Sequence, residues 1–328
     1  MDTIGWGVLA PGRIARQLAT DLREVPDAAL VATGSRNPER AEAFAAEFGG
    51  AAHDYDGLLA DPAVDVVYVA SPHALHHEHV LRALDAGKAV LCEKPMTLDA
   101  ATTEELFAVA ADRGLFLMEA MWTACHPVFR TLLRLLASGE HGVPRQVRAD
   151  LGSVVDASPE DRLLDPAMGA GALLDMGIYP LTLAHLVLGE PERLAAVASL
   201  SETGIDLDVA ISGRYAGGAT AALTATMTAA APSDASVATT TGRFDLPHGW
   251  LTPDGLRWTT QVDGEDVTTW IGPDEPVLGH GYAHEVLEVH RCLWEGRLTS
   301  DLVPPAQTIS LMRQLDGVRH QVGVGLPG

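Results

Sequence analysis

A functional ammonium can sit at only two places in this chain, because its 328 residues include just two lysines, Lys88 and Lys94, against a formal net charge of −22 at pH 7. A second chemical feature lies near the start. The segment Gly5-Trp6-Gly7-Val8-Leu9-Ala10-Pro11-Gly12-Arg13-Ile14-Ala15 passes from an apolar run into small residues and then into a helical pattern. A tight turn of this kind lets backbone N–H groups approach a pyrophosphate at the positive end of a helix, which requires small residues at Ala10, Gly12 and Ala15. Ala10 stands where the G-x-G-x-x-G/A pattern has its first glycine, so the turn alone also describes a glycine-rich strand-to-helix corner of any α/β protein.

About 20 residues past such a turn, an acid normally holds the ribose hydroxyls of NAD. Here the chain reads Ser35-Arg36-Asn37, with Arg40 one helical turn later. A hydroxyl and guanidinium groups suit a ribose phosphate, which predicts NADP as the preferred cofactor, with NAD possible. The plainer alternative is a pair of solvated arginines at a helix start.

The elements that would carry these residues follow from periodicity. Up to about residue 120, apolar runs alternate with helical patterns, as in a parallel βαβ sheet. Ile4–Leu9, Ala29–Gly34, Val64–Ala70 and Ala89–Cys92 read as strands. Arg13–Glu24, Pro38–Phe48 and His76–Ala86 read as helices, and Asp99 or Thr102 caps a further one. Beyond Trp122 come helices near Val128–Ser138 and from Gly169, strand-like runs between Pro144 and Ile271, and closing helices over Tyr282–Glu295 and Pro305–Val322. Closely spaced turn residues favour a mostly antiparallel sheet with helices on one face. The expected architecture is α/β: a Rossmann doubly wound parallel sheet over 1–122, then a catalytic and dimerisation α/β domain with an open, mostly antiparallel sheet over 123–328. The C-terminal helix is free to pack back on the first domain.

Composition narrows the partners. A hydrophobic content of 47% supports packed cores. The acidic balance repels phosphate backbones and anionic headgroups, so neither nucleic acid nor membrane is expected. The start of the chain shows no basic leader, and no apolar stretch is read as approaching the roughly 20 residues that span a bilayer, so a cytoplasmic protein is expected. Cys92, Cys125 and Cys292 lack paired spacing and read as buried free thiols. The cluster His73, His76, His77, His79 has no cysteine beside it, and His284 and His290 stand six apart rather than four. No metal is expected, and the stretch around His284 reads as a helix with solvated charges.

Two further motifs lie at the carboxyl ends of expected parallel strands, where such sheets bind ligands. These are Ser71-Pro72-His73-Ala74-Leu75-His76 and Glu93-Lys94-Pro95. Together with Leu173-Leu174-Asp175-Met176-Gly177-Ile178-Tyr179 and Met118-Glu119-Ala120-Met121-Trp122-Thr123, they resemble the Gfo/Idh/MocA oxidoreductases, nearest the NADP-linked sugar and dihydrodiol dehydrogenase branch. The resemblance spans nearly the whole chain. It implies that Lys94 and Tyr179 are catalytic, that Asp175 supports them, and that Arg162 approaches the cofactor. It places Ala10, Pro11, Gly12, Arg13, Ile14, Ser35, Arg36, Arg40, Ser71, Pro72, His73, His76, Glu93 and Lys94 around the dinucleotide. It also implies a small-molecule substrate, a sugar or cyclic diol, and a homodimer or higher oligomer packed through the open sheet.

The residue types make chemical sense. Hydride transfer from an alcohol carbon needs a group that takes up the hydroxyl proton, and a phenol of pKa near 10 is too weak an acid unaided. A nearby ammonium stabilises the phenolate. Asp175 and Tyr179, four apart, share one face of a regular helix, although Gly177 and Pro180 disturb such a helix. Trp122 reads either as an apolar wall against a ring or as a packing tryptophan, and Tyr282 either as a cleft residue or as a helix-start contact. The rival class is a cofactor-binding regulator of the same fold without catalysis.

Overall fold

The computed structural model describes residues 3–158 and 161–325. In chain order the elements are β1 (Ile4–Leu9), α1 (Arg13–Leu22), β2 (Ala28–Gly34), α2 (Pro38–Phe48), β3 (Ala51–His53), α3 (Tyr55–Ala60), β4 (Val66–Val69), α4 (His76–Asp85), β5 (Ala89–Glu93), α5 (Ala100–Arg113), β6 (Leu117–Ala120) and α6 (Trp122–Cys125). Then follow α7 (Pro127–Ala137), β7 (Pro144–Gly152), α8 (Ile178–Leu188), β8 (Pro191–Leu200), β9 (Asp206–Tyr215), β10 (Thr220–Thr226), β11 (Ala235–Thr239), β12 (Gly242–Leu246), β13 (Leu256–Val262), β14 (Glu265–Ile271), α9 (Ala283–Trp294) and α10 (Pro305–Val322). Two compact units result. One is the chain up to His126 with Leu278–Ile309; the other is Pro127–Val277 with the chain from Ser310. The expected division into 1–122 and 123–328 thus did not anticipate that α9 groups with the first unit.

The first unit is built on a six-stranded parallel sheet in the order β3-β2-β1-β4-β5-β6. All four residues of β4 and all five of β5 are buried, which explains why these strands read as continuous apolar runs rather than alternating ones. The helix starts are set by side-chain caps. Asn37 accepts from the amides of Glu39 and Arg40 with Pro38 behind it, Asp54 accepts from Gly57, and Asp99, not Thr102, caps α5 by accepting from the Thr102 amide at 2.8 Å.

The second unit carries an eight-stranded sheet, β14-β13-β12-β11-β7-β10-β9-β8, in which only β7 and β10 run parallel. Alternation is clean where one face meets helices. Val147, Ile211, Leu223, Val237 and Phe244 are buried, with α8 against β7 and β10 and α7 against α8. The opposite face bears a row running Arg257, Asp245, Ser236, Arg148, Ala222, Ser212 across neighbouring strands, beside a concavity of about 730 Å³.

Several expectations need correcting. Strands β3, β6 and β13 and helix α3 escaped the periodicity reading; three of the four are six residues or fewer, too short to show a period. Pro166–Leu188, 23 residues, is apolar and long enough to span a bilayer, contrary to the reading that no such stretch exists; 61% of its most apolar part is buried inside the structure. The stretch 284–290 of α9 does not carry solvated charges, since His284, Glu285, Glu288 and His290 are all buried. Residues Leu173–Gly177 form a π turn running directly into α8, so the four-residue spacing of Asp175 and Tyr179 does not translate into a shared α-helical face.

Candidate active site

At the carboxyl ends of the parallel strands, β1 turns into α1 through Ala10, which adopts φ +69. An L-residue with a side chain pays roughly 1–2 kcal/mol for the left-handed region, so the alanine occupies a strained corner where the fingerprint has glycine. The Ala10 amide donates to the Gly34 carbonyl at 3.0 Å, and Gly12 donates back to Ala10 at 2.9 Å. Gly12 precedes α1 with no side-chain cap and no acid in the first turn, and a Cβ built on it meets nothing within 4 Å. Open backbone N–H groups at a helix start suit a pyrophosphate. Pro11 and Ile14 flank the turn half-buried, and Arg13 is exposed.

Ser35 is buried at the end of β2, its hydroxyl accepting from the Asn37 amide at 3.1 Å. Arg36 is exposed, and burial raises the pKa of the Tyr55 phenol against the lowering effect of that guanidinium. The Tyr55 ring meets His79 edge-on at 5.1 Å, and His79 Nδ1 lies 2.9 Å from the Ser71 hydroxyl. Tyr55 and His79 therefore tie the two expected binding segments, Ser35-Arg36 and Ser71-Pro72, into one run. Arg82 lies over Tyr55 at 5.8 Å while paired with Asp56. Arg40 is exposed in the first turn of α2.

The strand-end loops of β4 and β5 are joined by His76. Its Nδ1 lies 2.8 Å from the Pro95 carbonyl and its Nε2 2.7 Å from the Ser71 carbonyl. Burial pushes this imidazole down to about 4 against the pull of those two acceptors, which favour the charged ring. Both ring nitrogens are thus engaged by backbone. His73, on the 3₁₀ turn after Pro72, is buried with its ring 5.7 Å from that of His76.

The two lysines separate here. Lys88, at the amino edge of β5, donates to the carbonyls of Asp61 and Val64 at 2.8 Å each, a structural task. Lys94 follows β5 at the carboxyl edge, half-buried, next to buried Glu93. Glu93 accepts from the Tyr68 hydroxyl and from the Lys94 amide. Glu285 and Glu119 are buried in the same unit. Glu285, fully buried, is held well above the carboxylate range by desolvation and then by the charges of Glu93 and Asp21. Glu119, pushed up to about 7 by burial, accepts from the Met96 amide and the Thr308 hydroxyl.

Trp122 and Tyr282 pack on one another, ring centroids 4.8 Å apart. The Tyr282 hydroxyl donates to Gln17 of α1 at 3.2 Å. Asp21, fully buried in the last turn of α1, accepts from the amides of His280, Tyr282 and Ala283. It was missed in the sequence, although the signal existed: an acid between Leu18 and Leu22 on the apolar stripe of a helix.

The second unit supplies Asp175, Tyr179 and Arg162. Asp175 lies in the π turn and Tyr179, buried, in the first turn of α8. π turns recur at functional sites. Asp206 of β9, fully buried, accepts from the Leu173 amide, and burial lifts its pKa to about 6. Arg162 is exposed on the connection after β7.

Residues 4–121 match the oxidoreductase family with the NAD-binding Rossmann fold, Gfo/Idh/MocA, and residues 129–245 match its C-terminal domain. The chain belongs to the Gfo/Idh/MocA family. Trans-1,2-dihydrobenzene-1,2-diol dehydrogenases from Mus musculus and Oryctolagus cuniculus are 35% and 36% identical to it, each over 98% of this chain and 98% and 99% of their own. A 3-ketoreductase from Actinomadura kijaniata, solved with NADP and TDP-benzene, superposes with TM-score 0.88 at 29% identity over 98% of both chains. That enzyme has also been solved with a lysine-to-alanine and with a tyrosine-to-phenylalanine substitution. An aldose-aldose oxidoreductase from Caulobacter crescentus, TM-score 0.88 at 24% identity over 98% of both chains, shares the fold. As a Gfo/Idh/MocA protein the chain is an oxidoreductase acting on hydroxyl or keto groups, and its first unit is an NAD(P)-binding Rossmann domain. The uncapped start of α1, the open space at Gly12 and the guanidinium after β2 fit a pyridine dinucleotide.

Proposed function

We propose that this chain is an NADP(H)-dependent oxidoreductase that moves a hydride to or from the hydroxyl-bearing carbon of a sugar or cyclic polyol. Tyr179 holds the substrate hydroxyl proton, and Lys94 lowers the phenol's pKa by stabilising the phenolate. The observation that carries this reading is the division of labour between the two lysines. Lys88 is spent on carbonyls at the amino edge of β5, whereas Lys94 stands at the carboxyl edge beside Glu93, where parallel sheets bind ligands. When bound, the nicotinamide supplies or accepts the hydride. The proton then passes between the substrate oxygen and the Tyr179 oxygen, with Asp175 supporting the phenol. Trp122 and Tyr282 form the apolar wall for the substrate ring.

On the cofactor side, the α1 amides, Ser71, Pro72 and His73 line the dinucleotide, and Arg162 is assigned to it as well. His76 acts by fixing the loops of Ser71 and Pro95. Ser35, Arg36 and Arg40 take the ribose phosphate, giving NADP preference over NAD. The helix-free row of the second sheet, Arg257 to Ser212, forms a homodimer contact. Three buried cysteines outside any disulfide suit the cytoplasm.

The test follows NADPH absorbance while aldoses, keto-sugars and trans-1,2-dihydrobenzene-1,2-diol are offered to the purified protein. Turnover on a member of the panel is expected, with Lys94→Ala losing about 100- to 10,000-fold in rate while still binding NADPH. Tight cofactor binding without turnover on any of them would favour the regulator instead. Arg36→Asp should shift the NADP-to-NAD affinity ratio by about tenfold or more toward NAD; unchanged discrimination removes the assignment of the phosphate pocket.

A further inference from the structure

The loop Gly279–Ala283 enters α9 with a geometry that its own residues do not explain. Gly279 and Gly281 have φ +55 and +105, conformations suited to glycine. A Cβ on Gly281 would lie 2.8 Å from His126 and 3.3 Å from the Trp122 ring, and one on Gly279 would lie 2.3 Å from an Asp21 carboxylate oxygen. The backbone therefore runs closely between the Trp122 side of α6 and the end of α1. Tyr282 and Ala283 open α9 with no side-chain cap of that helix's own.

What holds the loop there is Asp21. Its Oδ2 accepts from the amides of His280 at 2.8 Å, Tyr282 at 2.9 Å and Ala283 at 3.3 Å, and its Oδ1 lies 2.9 Å from His280 Nδ1. The root of the loop is tied separately, the Leu278 amide donating to His284 Nε2 at 3.0 Å. An acid in the last turn of a helix opposes the helix dipole of α1, yet at the start of α9 it complements it. Asp21 is placed for α9, the cap that α9 lacks.

We infer that Asp21 is a positioning residue for substrate recognition: it caps α9 from α1 and thereby fixes Tyr282 against Trp122. One turn before Asp21, Gln17 receives the Tyr282 hydroxyl, so α1 holds this tyrosine at both its backbone and its phenol. The same helix begins at the dinucleotide turn, and substrate wall and cofactor turn share one rigid element. The inference rests on the reading of Trp122 and Tyr282 as the substrate wall.

The test uses the full chain with NADP and the substrate found above, comparing Asp21→Asn, Gly281→Ala, Tyr282→Ala and the double variant Asp21→Asn/Tyr282→Ala. Amide hydrogen exchange of the peptide spanning 278–286 is measured in parallel on Asp21→Asn. Expected are exchange at least about tenfold faster in that peptide and a rise of about tenfold in substrate KM for both loop variants, with the KM for NADP within about twofold. In the Tyr282→Ala background the Asp21→Asn effect on KM should vanish, because both changes remove one arrangement. A KM effect that persists in the double variant, or unchanged exchange, overturns the inference. If Tyr282→Ala raises KM and neither loop variant does, the wall stands and the Asp21 assignment falls. If no variant moves KM, both fall together. Gly281→Ala leaves the carboxylate intact, so a folding defect in Asp21→Asn does not prevent the decision.

Discussion

Two tyrosines sit at two helix starts, each preceded or opened by backbone that a buried aspartate of another element holds. Tyr282 opens α9 under Asp21 of α1, and Tyr179 opens α8 after a π turn whose Leu173 amide meets Asp206 of β9. The aspartates are equally buried but differently supplied. Asp21 gathers three backbone amides and the His280 ring, whereas for Asp206 burial outweighs its two backbone N–H partners and lifts the pKa to about 6. Donors aimed at a buried carboxylate offset the cost of desolvating it, and where they are few burial raises the pKa.

The two tyrosines differ most in chemistry. Tyr179→Phe is expected to cost about 100- to 10,000-fold in kcat with cofactor binding retained, while Tyr282→Phe changes kcat by no more than about threefold and shows its effect in KM. Equal losses of kcat in steady-state assays would erase the distinction between a proton-holding tyrosine and a wall.

A smaller effect is the pH dependence that Asp206 brings to stability. The pKa of Asp206 is raised from 3.8 to about 6 in the fold, so its stabilising contribution is complete below pH 3.8 and is lost as pH rises through 6. That swing is of order 3 kcal/mol, and Asp206→Asn should flatten it, as read from urea unfolding of the second unit between pH 4 and 7. A slope identical to that of the parent chain would remove the proton from Asp206. Asp21→Asn should cost the first unit about 2 kcal/mol, because one of the two oxygens that gather these donors becomes an NH2 group that cannot accept. A stability change under about 0.5 kcal/mol would make the two sites alike.

How much of this was legible beforehand varied with locality. The turn at Ala10 and the segments at Arg36, Ser71 and Lys94 could be placed because each lies where a buried apolar strand ends, and strand ends announce themselves by composition. Tyr55 and His79, which join two of those segments, could not be placed. They belong to separate helices, and their meeting depends on where β2, β3 and β4 lie in the sheet. The same holds for Glu285: on a helix wheel it reads as a solvated acid, and only the packing of α9 in the first unit makes it a buried one whose pKa desolvation raises.

From its residue order alone, the chain determined a parallel doubly wound unit, an open sheet after it, and a single lysine at a ligand-binding edge, since all three follow from short-range patterns of burial and turn chemistry. Tertiary structure alone decided that α9 groups with the first unit, that a π turn precedes Tyr179, and that Asp21 caps a helix some 260 residues away. Contacts over such separations depend on the shape of the assembled core, which no local window contains.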